Sequence, residues 1–159
     1  MKKLFLILVI SIVSVCAFST QSNAQAMGHD YRTGLGVKVG YWGGGALDVK
    51  HFLRSDKALE GLLSFGSDWF TITGLYEFHG PINGAPGLLW YVGPGAHIGF
   101  WNSGYHDADG AFFGVDGVLG LDYKFNGAPI SLSLDVQPEV SFPHGGFDLW
   151  GGLGIRFTL

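Results

Sequence analysis

From Asp30 onward, apolar residues recur at every second position, which is the strand period, and no segment fits the 3.6-residue helical period well. Eight such segments are read as strands, over 33–42, 46–53, 58–66, 69–79, 88–101, 112–125, 130–142 and 147–159. Turn chemistry separates them: Gly43-Gly44-Gly45, Arg54 to Lys57, Gly66-Ser67-Asp68, Gly80 to Gly87, Asn102 to Gly110, Asn126 to Pro129, and Pro143 to Gly146. Glycine and asparagine tolerate positive φ and proline fixes φ, so these clusters end strands for physical reasons.

Each strand has one apolar face and one mixed face. The sixth shows Phe113, Val115, Leu119, Leu121, Tyr123 and Phe125 on one side, and Gly114, Asp116, Val118, Gly120, Asp122 and Lys124 on the other. The charges within the predicted strands are Lys38, Asp48, Lys50, Glu60, Glu77, Asp116, Asp122, Lys124, Asp135, Glu139, Asp148 and Arg156. All fall on the mixed face. Two architectures satisfy such alternation. A soluble sandwich or lipocalin-type barrel turns its apolar face inward, whereas a membrane barrel turns it to lipid and keeps the polar face for the lumen.

Three features favour the membrane solution. Aromatic residues on the apolar faces gather near both strand ends, as interfacial girdles do: Tyr41, Phe65, Phe70, Phe100, Phe113, Phe142 and Phe147 at one rim, and Tyr76, Phe78, Trp90, Tyr123, Phe125 and Phe157 at the other. The mixed face alternates glycine with bulky Phe52, Trp69, Tyr91, Trp101 and Trp150, a mixture suited to filling a narrow lumen. Strands of roughly 8–14 residues also match the length of a tilted crossing.

Composition narrows the classes further. The chain has 159 residues, 47% apolar, 15% aromatic and 14% charged, which excludes a disordered segment. Nine Lys and Arg against thirteen Asp and Glu exclude the broad basic surface of a nonspecific nucleic-acid binder. One cysteine leaves no disulfide framework and no Cys-based zinc site. All 27 glycines lie at or after Gly28. The segment before them has Lys2 and Lys3, an apolar run over 4–17, and a small-x-small site at Ala24-Gln25-Ala26. It reads as a cleaved secretory signal peptide over 1–26, with the barrel domain over 27–159. Val15 before Cys16 fits a lipoprotein signal poorly.

The pattern resembles the small eight-stranded outer-membrane barrels of the OmpA/OmpX type, a porin-like family. Its most specific element is the terminal stretch Gly152-Leu153-Gly154-Ile155-Arg156-Phe157-Thr158-Leu159. In that family a glycine and two hydrophobic residues two apart mark the strand read by the barrel-assembly machinery. Gly154, Phe157 and Leu159 take those places, although Phe is commoner than Leu at the end and a polar residue is usual where Gly152 stands. The resemblance implies an all-β, eight-stranded antiparallel up-and-down transmembrane barrel in the outer membrane of a Gram-negative bacterium. It places both termini in the periplasm and implies outer-membrane lipid and the assembly machinery as partners, no nucleic acid, and a monomer. The external connections would be short, which disfavours an adhesin.

An eight-stranded barrel is filled by its own side chains, so the twelve inward charges are expected to pair rather than line a pore. His97 is expected inward as a hydrogen-bonded lumen residue and His51 outward near a strand end. His106, Asp107 and Asp109 share the longest external loop and could bind a cation only weakly. Ser141, Glu139 and His144 supply the residue types of a lipid-modifying enzyme, but Ser141 and Glu139 face the lumen and no deacylase motif surrounds them. Neither a phosphate loop nor Gly-x-Ser-x-Gly occurs. The expectation is a non-enzymatic structural or surface-interaction barrel with no catalytic residue, metal or cofactor. The alternatives are a lipid A-modifying or lipid-binding outer-membrane enzyme and a soluble periplasmic lipocalin-like binder.

Overall fold

The computed structural model describes residues 31–41, 44–101, 110–143 and 146–159, with only the backbone of Tyr41. The signal-peptide reading, including Cys16 and Ala24 to Ala26, lies outside the described residues. So do His106, Asp107, Asp109 and His144.

Eight strands form one closed barrel: β1 (Thr33–Tyr41), β2 (Gly44–Arg54), β3 (Lys57–Phe65), β4 (Trp69–Pro81), β5 (Leu88–Trp101), β6 (Ala111–Lys124), β7 (Ile130–Phe142) and β8 (Phe147–Thr158). Each pairs antiparallel with its sequence neighbours, and β1 pairs with β8 to close the ring. Closure leaves no unpaired strand edge.

The strand bounds depart from the sequence reading where glycine and proline dominate. Gly44 and Gly45 pair with Tyr41 and Val39, so β2 begins inside the glycine run. His79, Gly80 and Pro81 pair with Tyr91, Trp90 and Leu89, extending β4 into the expected turn. Glycine permits a turn but does not require one. Arg54 and Lys57, read as turn residues, are terminal strand residues. A register shift between Val39 and Tyr41 coincides with Gly40 at φ 122°, a conformation that side-chain-bearing residues avoid.

The distribution of side chains is that of an inside-out protein. Val37, Leu47, Ile72, Val115, Leu134, Leu153 and Ile155 are exposed on the outer wall, while Lys38, Lys50, Glu77 and Arg156 are fully buried within. The rim aromatics Phe65, Phe70, Phe100, Phe113, Phe142 and Phe147 are exposed at the end opposite the termini, and Phe78, Trp90, Tyr123, Phe125 and Phe157 at the other. Tyr76 is half-buried. A lipocalin-type barrel, with its apolar face inward, is therefore not what the chain forms.

Size complementarity organises the lumen. Gly36 lies opposite Arg156, Gly154 opposite Lys38, Gly120 opposite Asp135 and Gly114 opposite His97. A Cβ at Gly36 would overlap the backbone of Ile155 and Arg156, and one at Gly120 would strike Tyr91 and the Asp135 side chain. The absent side chains leave room for the long charged ones.

Candidate functional site

The lumen holds two polar clusters. The larger joins Lys38, Lys50 and Arg156 to five carboxylates. Lys38 Nζ lies 2.7 Å from Glu60 and 2.8 Å from Asp135. Lys50 Nζ lies 2.8 Å from Glu77, 3.3 Å from Glu60 and 3.5 Å from Asp122. Arg156 spreads its guanidinium over Asp48 (Nε, 2.6 Å), Glu60 (Nη2, 2.7 Å) and Asp122 (Nη1, 3.1 Å). Glu60 thus touches all three cations. In a dry interior such pairs must satisfy one another, because a single stranded charge is expensive.

An aromatic column leads into this cluster from the terminal end. Tyr31 meets Phe52 edge-on with centroids 5.3 Å apart, Phe52 meets His79 at 4.9 Å, and His79 stacks on Tyr91 at 5.2 Å. The Tyr91 hydroxyl donates to Asp135, Lys50 sits 4.0 Å above the Tyr91 ring, and His79 Nε2 hydrogen-bonds Glu77 at 2.9 Å. Tyr31 precedes β1. Burial, reinforced by nearby Asp122, pushes its phenol well above the usual tyrosine range and keeps it neutral. Tyr31, Phe52 and Ala58 form an apolar stopper at this end. The sequence reading places Phe52 and Tyr91 among the bulky lumen residues but does not anticipate Tyr31 or the column they form.

The second cluster lies towards the β5–β6 and β7–β8 connections. A carboxylate only accepts, so His97 Nδ1–H donates to Asp116 Oδ1 at 2.9 Å. In the neutral imidazole Nε2 then accepts from Ser141 Oγ–H at 3.1 Å. Gln137 Nε2 also reaches Asp116 Oδ1, at 3.4 Å, and Trp150 hydrogen-bonds Glu139. The sequence offers Ser141 with Glu139 and His144 as the residue types of an enzyme, a reading weighed and set aside; His144 lies outside the described residues. Among the described residues the partner of Ser141 is His97, which comes from β5 through barrel closure rather than from the adjacent loop. The order Ser–His–Asp is that of a hydrolase triad, but the Ser141 N–H, a donor that a nucleophilic serine offers to an oxyanion, is engaged with the Gly146 carbonyl at 3.4 Å.

Nine of the twelve inward charges are buried: Lys38, Asp48, Lys50, Glu60, Glu77, Asp116, Asp122, Asp135 and Arg156. Lys124, Glu139 and Asp148 are half-buried. Lys124, the last residue of β6, donates to the turn carbonyls of Phe125 and Ala128, and among the described residues it joins no ion pair, because its strand ends at the rim. Of the bulky inward residues, Phe52 and Tyr91 are buried and Trp69 and Trp150 half-buried. Trp101 departs from the expectation: at the end of β5 it is 45% exposed and leans on Phe112. His51 is half-buried and shares a 2.9 Å hydrogen bond with Thr33.

The proposed assembly residues occupy three environments. Gly154 is buried against Ser133 and Lys38, Phe157 projects from the outer wall, and Leu159 lies just past β8. The Leu159 carbonyl accepts from Arg32 and Thr33, and its N–H donates to Thr33.

These features define the class: a closed, eight-stranded, up-and-down antiparallel barrel with the fold of the small OmpA-type proteins. Among solved structures, it is similar to the crystal structure of the N-terminal β-barrel domain of Pseudomonas aeruginosa OprF. The TM-score is 0.63 at 17% identity, over 80% of this chain and 96% of that one. No sequence-family model and no curated protein matches the chain.

Proposed function

We propose that this chain is an integral outer-membrane barrel with a structural role in the envelope, its lumen closed by salt bridges rather than open to diffusion. The observation that carries this reading is the reversal of burial. Lys38, Lys50, Glu77 and Arg156 have no exposed surface, while the outer wall presents Leu134 at 58%, Leu149 at 62% and Phe147 at 69%. In water, each large apolar side chain left exposed forgoes about 1.5–3 kcal/mol of burial free energy. A continuous apolar wall of this extent suits lipid contact.

The lumen favours a closed role over a conducting one. The aromatic stopper blocks the terminal end, and the ion-paired cluster engages charges from β1, β2, β3, β4, β6, β7 and β8. The terminal stretch with Gly154, Phe157 and Leu159 then serves as the assembly signal, and the amino-terminal segment as the export signal.

The test is fractionation with gel migration. The protein is expected to remain with membranes through a carbonate wash and to migrate differently on a gel before and after boiling. In planar bilayers the purified barrel is expected to show no steady open conductance. A protein that stays monodisperse in plain buffer without any amphiphile would overturn the membrane assignment. A sustained ohmic current would overturn the closed lumen.

A further inference from the structure

The second lumen cluster has a charge problem that the first does not. Asp116 on β6 is the register partner of Glu139 on β7, and Glu139 is the register partner of Asp148 on β8. Three acids therefore stand side by side on the inner face of three adjacent strands. Like charges directly opposite one another destabilise a sheet. Among the described residues no Lys or Arg forms an ion pair with any of the three, since Lys38, Lys50 and Arg156 engage Asp48, Glu60, Glu77, Asp122 and Asp135. The basic group in contact with the row is His97.

The geometry points to a divalent transition-metal site formed by His97, Asp116 and Glu139. One donor atom from each of the three lies within 4.8 Å of the other two. Two ligands about 2.1 Å from a metal and at right angles lie about 3 Å apart, and two on opposite sides about 4.2 Å. His97 Nδ1 and Asp116 Oδ1, 2.9 Å apart, match an adjacent pair with the metal in place of the shared proton. No separation within the trio exceeds 4.8 Å, so the Glu139 carboxylate has to close by at most about 2 Å to take an adjacent position. A second observation is independent of that clustering. Asp116 is 7% exposed, and its Oδ2 is buried with no hydrogen bond among the described residues, which leaves a lone-pair acceptor unused beside His97.

The donor set chooses the kind of ion. One imidazole nitrogen and two carboxylates suit zinc, manganese or cobalt, whereas calcium wants six to eight oxygens. The ligands come from β5, β6 and β7, whose registers are fixed by their ladders, so the ion would tie three consecutive strands together in the half of the barrel that lacks the Lys–Arg cluster. This inference concerns the lumen alone and does not depend on the membrane assignment.

The experiment uses the full barrel folded in detergent and stripped with a chelator, titrated with zinc chloride by calorimetry. One zinc per chain is expected to bind, and calcium at least a hundredfold more weakly. His97→Gln, Asp116→Asn and Glu139→Gln should each weaken zinc at least tenfold. Heat-shifted gel migration shows that each variant is folded, and a variant that fails it is replaced by His97→Asn or Glu139→Ala. A double variant, His106→Ala with His144→Ala, is expected to bind as the parent does. Absence of saturable zinc binding would overturn the site. So would binding that survives in the three lumen variants but is lost in the loop variant, or calcium binding as tightly as zinc.

Discussion

Replacing Arg156 by methionine tests whether the lumen is a dry, paired interior or a hydrated one. Methionine keeps much of the apolar stem and removes only the guanidinium, so loss of packing contributes little. The structure fixes what is lost: contacts of 2.6, 2.7 and 3.1 Å to Asp48, Glu60 and Asp122, all without solvent exposure. Glu60 and Asp122 retain contact with Lys50, and Glu60 with Lys38 as well, whereas the ion pair of Asp48 is with Arg156. Breaking a buried ion pair by deleting one partner costs about 3–5 kcal/mol, against about 0–1 kcal/mol for a solvated pair. Arg156→Met is therefore expected to lose about 3–5 kcal/mol in equilibrium urea unfolding from phospholipid vesicles, followed by tryptophan fluorescence and gel mobility. Adding Asp48→Asn removes the stranded carboxylate and should restore about 1–3 kcal/mol. A loss under about 1 kcal/mol for Arg156→Met, with no recovery in the double variant, would show that water screens these charges and would refute the sealed lumen.

Three further outcomes are expected. Leu134→Arg, on the outer wall, should cost about 2–4 kcal/mol in the same vesicle assay if it lies near the bilayer midplane. Gly120→Ala places a methyl group against Tyr91 and the Asp135 side chain, so a loss of about 1–3 kcal/mol is expected, measured as a shift in the urea midpoint. Phe52→Ala empties the stopper between Tyr31 and His79 and should cost about 3–5 kcal/mol, with amide exchange accelerating first at the terminal end of β2 and β3.

The two-residue period made the strands and their two faces legible, because a strand buried on one side must alternate and a one-residue slip inverts every side chain. It placed Lys38 and Arg156 on the same side of the wall without reference to any contact. What it did not contain was the partnership between them and their acids. Glu60 and Arg156 are 96 positions apart, and their meeting depends on the tilt and stagger of the closed barrel, which no local pattern encodes. The same holds for Ser141 and His97, 44 positions apart, which sequence proximity does not bring together. Strand ends were blurred at Gly44, Gly45 and Gly80, where the residue type is compatible with either turn or ladder. Trp101 and Lys124 share the inward parity of their strands, yet parity carries no information about depth, and both lie where the wall gives way to the rim.

The placement of Arg156 on β8 has a consequence for how the chain reaches its native state. Its three acids reside on β2, β3 and β6, so a polypeptide arrested before β8 carries Asp48 without its counter-ion and has an open seam at β1. Neutralisation of Asp48 and ring closure are then a single event performed by the same segment. Lys38 and Lys50 can find their acids without β8, so the last stave brings the one cation that Asp48 pairs with among the described residues.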